Sequence, residues 1–437
     1  MNYYISTFGC QANERDSEII AGILREKGYT PAVDQASADV IIYNTCCVRE
    51  KAEHKVFSQI GALKDLKSRK PDLIIGICGC MVQQDEMPAR IRQRLPHVDL
   101  IFGTHNKHEL PELLDEVRSK KTKRVSIKPE MEVVVEDLPS QREFSYKGLV
   151  HITYGCNNFC TYCIVPYVRG REKSRNSDNI IKEIENMVAF GMTEVMLLGQ
   201  NVNSYGKDLT PIVTFADLLL EINKIKGLRR IRYMTSHPRD FTDRLLFVIS
   251  SAEKVCRHFH LPVQSGSNNI LKMMNRGYAR EDYLLLVKKI RENFPEASIT
   301  TDIIVGFPGE SDEDFQATME LVEMARFDSA FTFIYSPRSG TPAALMTGQV
   351  DLKVKKERLS RLMKLQNKIS MEINQKLKGK TVEVLVEGCS KTSQEMLTGR
   401  TETNKPVLFK GPAELTGQFV MVLITSPQTW VLKGEMS

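Results

Sequence analysis

No apolar run in this chain approaches the ~20 residues that a membrane span needs. The opening stretch, MNYYISTFGCQANERDSE, lacks a basic n-region and a long apolar core. It is therefore not read as a signal peptide, and a cytoplasmic location away from membranes is expected. Charge of one sign is also scarce in excess: 60 Lys and Arg against 54 Asp and Glu leave +6. That balance is compatible with nucleic acid without pointing to it. Hydrophobic residues make up 42% and charged residues 26%, as in ordinary soluble globular chains. At ~100–200 residues per domain, 437 residues predict two to four domains. What the chain does have is ten cysteines. In a cytosolic protein these read as metal ligands or catalytic thiols before disulfides.

The first ~110 residues alternate strand-like and helix-like segments. YYISTFGC, DVIIYNTCC and DLIIGICGC read as strands, and ERDSEIIAGILREKGY carries a helical period. This alternation predicts a doubly wound parallel sheet. Each of the three strands ends in cysteine. The carboxyl ends of such strands share one edge, where ligands bind. Cys10, Cys46 or Cys47, and Cys78 or Cys80 are thus predicted to meet. A basic stretch, RSKKTKRVSIK, and an acidic one, EMEVVVEDLPS, then read as a linker.

From Gly148 six further strands are predicted: LVHITYGC, EVMLLGQN, RRIRYMTSHP, HFHLPVQSG, ITTDIIVGFPG and SAFTFIYSP. With helices between them they suggest a full or partial (β/α) barrel, whose chemistry lies at the strands' carboxyl ends. Residues 353–379 read as a basic amphipathic helix with Leu359, Leu362, Ile369, Ile373 and Leu377 along its apolar stripe. Beyond Gly379 the alternation with turn residues predicts a small antiparallel barrel, a shape that often binds RNA.

The stretch YGCNNFCTYC spaces Cys156, Cys160 and Cys163 as C-x3-C-x2-C. Zinc prefers four ligands, commonly in paired C-x2-C units, and no such partner pair lies nearby. Iron–sulfur cubanes normally take four cysteines, one per iron. With three, one iron keeps an open position, and its expected occupant is S-adenosylmethionine. A zinc site completed by a distant residue is the competing reading.

YGCNNFCTYCIVPYVRGREKSR, LLGQNVNSYG, TSHPRD, LPVQSGSNNILKMMNRGY and DIIVGFPGE follow one another in order. TFGCQANERDSE, NTCCVREKAEHK and GCM precede them. Together they resemble the methylthiotransferase family of radical-SAM enzymes along essentially the whole chain. GQNVNSYG and CNNFCTYCIVPY are most similar to the branch acting on (dimethylallyl)adenosine in tRNA. The resemblance implies an N-terminal methylthiotransferase domain over 1–117, a linker over 118–141, a radical-SAM core over 142–372 and an RNA-binding TRAM domain over 373–437. The core is expected as a partial (β/α)6 TIM-like barrel.

The same resemblance implies that Cys156, Cys160 and Cys163 hold a radical-SAM 4Fe-4S cluster. Cys10, Cys46 and Cys80 are to hold a second, auxiliary one. It implies two equivalents of S-adenosylmethionine, tRNA as partner at the anticodon stem-loop, an electron donor such as flavodoxin or ferredoxin, and a monomer. It places the adenine of the cosubstrate against DIIVGFPGE, which holds Ile304 and Gly306. The Tyr162 backbone, between two of the cysteines, is expected to meet that adenine. Gln200, Asn201, Gln264 and Ser265 at neighbouring strand ends suit hydrogen bonds to the cosubstrate's ribose or methionine end. For tRNA, Arg169, Arg171 and Arg175 suit phosphates and bases, and His237 and Arg239 face the same cavity in the barrel expectation. Cys47 and Cys78 depart from the usual pattern and read as buried apolar thiols. The sister reactions, on threonylcarbamoyl-adenosine or on an aspartate of a ribosomal protein, are the nearest alternatives. A non-enzymatic zinc-containing RNA-binding protein is the alternative from another class.

Overall fold

The computed structural model describes residues 1–47, 50–391 and 393–437, without the side chains of 50–52 and 394. Part of the NTCCVREKAEHK stretch therefore lies outside the described residues. Elements are numbered in chain order.

The N-terminal region is a six-stranded parallel sheet in the order β2-β1-β3-β4-β5-β6. Its strands are β1 (Asn2–Thr7), β2 (Thr30–Pro31), β3 (Val40–Thr45), β4 (Ile74–Gly79), β5 (Leu100–Phe102) and β6 (Arg124–Ser126). The helices are α1 (Gln11–Glu26), α2 (Glu50–Gly61), α3 (Lys64–Arg69), α4 (Met87–Arg94) and α5 (Leu110–Lys120). β3 and β4 are buried along their whole length, which is why they read as apolar runs without alternation. Val40 and Ile42 face α1 and α5, with Ile20, Leu24 and Leu114 against them. Ile41 and Tyr43 face the other way, toward Val56, Ile60 and Ile91. Helices thus cover both faces, as a doubly wound sheet requires. The chain runs from β1 outward to β2, then crosses to β3 on β1's other side. The carboxyl ends of β1 and β3 therefore flank a topological switch point, where such sheets open a crevice.

The expected linker at 118–141 begins inside α5 and contains β6. Its charge shift marks surface, whereas β6 joins the sheet through backbone pairing with β5, Ile101 opposite Val125.

The central region holds all six predicted strands: β7 (Lys147–His151), β10 (Glu194–Leu198), β11 (Arg230–Tyr233), β12 (His258–His260), β13 (Ser298–Val305) and β14 (Ser329–Ile334). They pair in parallel as β11-β10-β7 and β12-β13-β14. A bridge between Ile231 and Val255 links the two halves. The result is an open (β/α)6 barrel with its helices outside. The helices of this region are α6 (Val165–Val168), which lies in the cysteine segment, α7 (Ser177–Ala189), α8 (Phe215–Asn223), α9 (Asp243–Ser251), α10 (Asn268–Met273), α11 (Arg280–Asn293), α12 (Asp312–Ala325) and α13 (Leu352–Gln375). A short antiparallel pair, β8 (Thr153–Tyr154) with β9 (Lys173–Ser174), follows β7. α13 buries Leu362 and Ile369 in the barrel core. The expected boundary at 372/373 therefore falls within one helix.

The C-terminal region closes as a barrel in the order β15-β16-β17-β19-β18. Its strands are β15 (Thr381–Ser390), β16 (Ser393–Thr401), β17 (Pro406–Lys410), β18 (Phe419–Pro427) and β19 (Leu432–Met436). One pair, β17 with β19, is parallel, which closes the barrel; the others are antiparallel.

Charge fastens the first two regions together. α1 buries Arg15, Asp16 and Glu18, because the sheet lies behind it and the central barrel in front. Arg15 and Arg142 reach Glu183 of α7 at 2.9 and 2.5 Å, and Arg175 reaches it at 2.6 Å. Burial alone would raise the Glu183 carboxyl, but the guanidiniums of Arg15, Arg175 and Arg142 bring it down to about 2. A carboxyl held down by folding stabilises the native state above its unfolded pKa of ~4.3. That contribution fades as pH falls from there toward 2. Glu183→Gln leaves buried guanidiniums without their carboxylate and is expected to destabilise by about 3–5 kcal/mol at pH 7. Urea unfolding should show the gap between variant and parent narrowing at pH 3. An equal gap at both pH values would contradict the ion-pair account.

Candidate functional site

The C-x3-C-x2-C loop leaves the barrel just after β7. The β8–β9 pair pins its base. Gly155 has φ +65°, and a Cβ there would lie 2.2 Å from the Arg171 carbonyl oxygen, so only glycine lets the loop start. The Cys156 N–H donates to the Gly170 carbonyl at 3.2 Å, and the Cys163 N–H to that of Cys160 at 2.9 Å. Cys156 and Cys160 are buried, and Cys163 is half-buried. Burial pushes the Cys156 thiol up to about 11 and that of Cys163 to about 12. Metal binding would have to displace these protons. A buried guanidinium already faces them: Arg276 Nη1 lies 3.4 Å from Cys160 Sγ and 3.5 Å from the Tyr162 hydroxyl.

Tyr162 packs with Ile304, Met273 and Phe307 in a small apolar cluster beside this loop. Such a wall suits a purine ring. Gln264 has φ +75°; its backbone takes a hydrogen bond from the Ile304 N–H and gives one to the Asp302 carbonyl. Gly306 has φ +71°, and its N–H donates to Glu310 at 2.9 Å. Gln200 lies half-buried after β10. Ser265 and Asn201 are engaged within the protein. Ser265 turns its hydroxyl toward Thr318 at 3.3 Å, and Asn201 donates to Asp240 at 2.7 Å while accepting from the His237 N–H.

The expected tRNA residues divide. Arg171 is exposed and stacks over Phe159, 4.5 Å from its ring centre. Arg239 is exposed and donates to Asn158 of the cysteine loop at 2.7 Å. Arg169 and Arg175 are buried. Both are spent on carboxylates: Asp16 at 3.0 Å for Arg169, Glu136 and Glu183 for Arg175. His237 is buried, and both of its ring nitrogens are without a hydrogen-bond partner. Burial first, then Arg276, lowers it to about 3, so it is neutral at pH 7.

The second cysteine set gathers at the switch point of the N-terminal sheet. Cys10 is the exposed residue before α1, Cys46 follows β3, and Cys80 follows β4. A Cβ on Gly9 would lie 3.2 Å from Cys46 Sγ, so the Cys10 loop presses against Cys46. Strand alternation would set Cys78 and Cys80 on one face. The structure parts them. Gly79 has φ +94°, and a Cβ there would lie 2.3 Å from the Thr45 carbonyl oxygen. The chain turns at that glycine into a short 3-10 segment starting at Cys80. Cys78 stays in the apolar layer under α1. Cys47 packs with Cys80, Ile164 and Val168. The Cys80 thiol is held low, first by a hydrogen bond from Cys47 and then, against its burial, by Arg169.

The two sets are joined by one short segment. Cys163 stands at its start, and α6 follows. Ile164 and Val168 lie on Cys47 and Cys80. Among the described residues, no three His, Cys, Asp or Glu side chains surround a single point. A cubane does not ask for that, since each thiolate takes a different iron. The donor chemistry fits two such clusters: each site offers three thiols, and each has a buried guanidinium on a sulfur.

Residues 2–103 match Uncharacterized protein family UPF0004, 150–322 the Radical SAM superfamily and 375–437 the TRAM domain. A protein of Moorella thermoacetica named tRNA-2-methylthio-N(6)-dimethylallyladenosine synthase is 56% identical over 434 residues, covering 99% of this chain and 98% of its own length. One of the same name from Carboxydothermus hydrogenoformans is 54% identical over 435 residues, covering 100% and 99%. The chain belongs to the tRNA-2-methylthio-N(6)-dimethylallyladenosine synthase family. Among solved structures, its fold is similar to a radical S-adenosylmethionine methyltransferase, TsrM, from Kitasatospora setae, with cobalamin and a [4Fe-4S] cluster bound. That match has a TM-score of 0.58 at 14% identity and covers 79% of this chain and 74% of that one.

For a member of this synthase family, several site residues were not legible beforehand. Arg276 stands in LPVQSGSNNILKMMNRGY, where nothing in the pattern gives it a role. Asn13, Asp16, Lys107 and His151 form a buried polar group beside Arg169, with Lys107 2.6 Å from Asp16. The signal for Asn13 and Asp16 was the cluster of polar residues in QANERDSE at a helix start, which reads equally as a solvated face; Lys107 and His151 carried none.

Proposed function

We propose that this chain attaches a methylthio group to carbon 2 of N6-dimethylallyladenosine beside the tRNA anticodon. Support comes above all from the short segment after Cys163, whose Ile164 and Val168 pack on Cys80. Cys156, Cys160 and Cys163 would hold one 4Fe-4S cluster, and Cys10, Cys46 and Cys80 the second. A cubane on three thiolates leaves one iron for S-adenosylmethionine and supplies the electron that cleaves its sulfonium bond.

The protein's own groups bind and orient. Tyr162 and Ile304 offer an apolar wall for the adenine of the cosubstrate. Arg276 holds Cys160 and Tyr162 in register. His237, neutral and without a partner, is free to meet a polar group of cosubstrate or base. Carbon 2 of adenine has no useful acidity, so proton transfer by side chains alone would not activate it. The family supports two equivalents of S-adenosylmethionine, one as methyl source. The C-terminal barrel and the exposed Arg171 and Arg239 would grip tRNA. A flavodoxin or ferredoxin as electron donor and a monomeric state complete the proposal.

Deleting the gene should remove 2-methylthio-dimethylallyladenosine from total tRNA and let dimethylallyladenosine accumulate. Nucleoside analysis by mass spectrometry reads both. Loss of a methylthio-threonylcarbamoyl nucleoside instead would move the chain to the sister reaction.

A further inference from the structure

Arg169 belongs to the central barrel, yet its guanidinium lies among residues of the N-terminal sheet. Nε is 3.1 Å from Cys80 Sγ. Nη2 is 2.6 Å from Asn13 Oδ1 and 3.0 Å from Asp16 Oδ2. Each anchor is itself fixed. Asn13 donates to the carbonyls of Phe8 and Thr45 at 2.8 and 3.0 Å. Asp16 also takes Lys107 at 2.6 Å. On the other side, the Arg169 N–H closes α6 by donating to Val165 at 2.8 Å, and the Val168 carbonyl accepts from Thr104 at 3.1 Å. The arginine is 5% exposed.

An ion pair joining two domains would need only the carboxylate. Here the planar fork is shared between a carboxylate, an amide and a sulfur, a geometry that lysine cannot copy. We infer that Arg169 is a positioning residue: it ties Cys80 to the loop bearing Cys163 and sets the reduction potential of the cluster that Cys80 would hold. An N–H donated to a ligand sulfur stabilises the more negative, reduced cluster, so the potential rises. The tie also sets the distance between the two cysteine sites, because α6 is too short to bend between Cys163 and Arg169.

This inference rests on the two-cluster reading, and the experiment separates the two. The full-length chain with Cys156, Cys160 and Cys163 replaced by alanine is reconstituted with iron and sulfide under anaerobic conditions. Its remaining cluster is titrated by potential with EPR detection. Arg169→Met in that background is expected to shift the midpoint to a more negative value. A tenfold rise in the oxidised-to-reduced ratio at fixed potential is the expected size, about 59 mV for a one-electron couple. Arg169→Lys should fall between the two. An unchanged midpoint in a folded, iron-replete Arg169→Met chain overturns the inference and leaves an ordinary interdomain ion pair. If neither the Met nor the Lys variant binds iron, Arg169 only builds the site, and the potential-setting role is overturned as well. If the parent without Arg169 changes holds no cubane, the functional reading falls first and the inference with it.

Discussion

Replacing Cys156, Cys160 and Cys163 together with alanine abolishes cleavage of S-adenosylmethionine and leaves about four irons per chain, one cubane's worth. That is the expected result, and the largest effect anticipated here. The loop does not depend on its thiols for shape. The β8–β9 pair closes its base, Gly155 supplies the starting turn, and backbone bonds from Cys156 and Cys163 hold it. The variant should therefore fold, and the second triplet, on another domain, should keep its cluster. Iron and labile-sulfide assays with detection of 5′-deoxyadenosine test both halves. A chain with no iron left, or with zinc instead, would defeat the two-cluster assignment.

Cys10→Ala should do the reverse: 5′-deoxyadenosine still forms, while the methylthio product falls below detection. Cys10 precedes α1 as its N-cap but makes no side-chain capping bond, and its side chain is exposed. Alanine there removes neither a helix cap nor core packing. What is lost is one ligand of the auxiliary site, so the loss should be confined to sulfur insertion. Circular dichroism and thermal unfolding check that the fold is intact. Should cosubstrate cleavage disappear in a well-folded Cys10→Ala chain, the division of labour between the two sites would be wrong.

Much of this site was readable from residue order because its chemistry is local. Three thiols within eight residues can share a cluster in almost any surrounding fold, and the loop's glycine and turn residues travel with them. That cysteines at the strand ends would meet was also legible, since a parallel sheet brings successive carboxyl ends to one edge; the choice of Cys46 over Cys47 and of Cys80 over Cys78 rested on the family resemblance. The cosubstrate residues were less so. Tyr162 and Ile304 share one apolar cluster, but Ser265 and Asn201 hold turns, and a hydroxyl or amide gives no sign of which way it points.

The sequence by itself determined the three-part architecture, the parallel strands of the first two parts and the two groups of cysteines. These follow from periodicity, composition and spacing, which act over a few residues. Tertiary structure parted Cys78 from Cys80, which strand alternation left together and only the family resemblance had told apart, because the positive φ of Gly79 breaks that alternation. It alone put β6 in the sheet and α13 on the barrel, since pairing and packing partners lie far away along the chain. And it buried Arg169 and Arg175, read from the sequence as suited to phosphates and bases, among carboxylates. A basic run reads the same whether water or another domain faces it. Only the docking of α1 against the barrel, with Asp16 and Glu183 waiting there, removed the water.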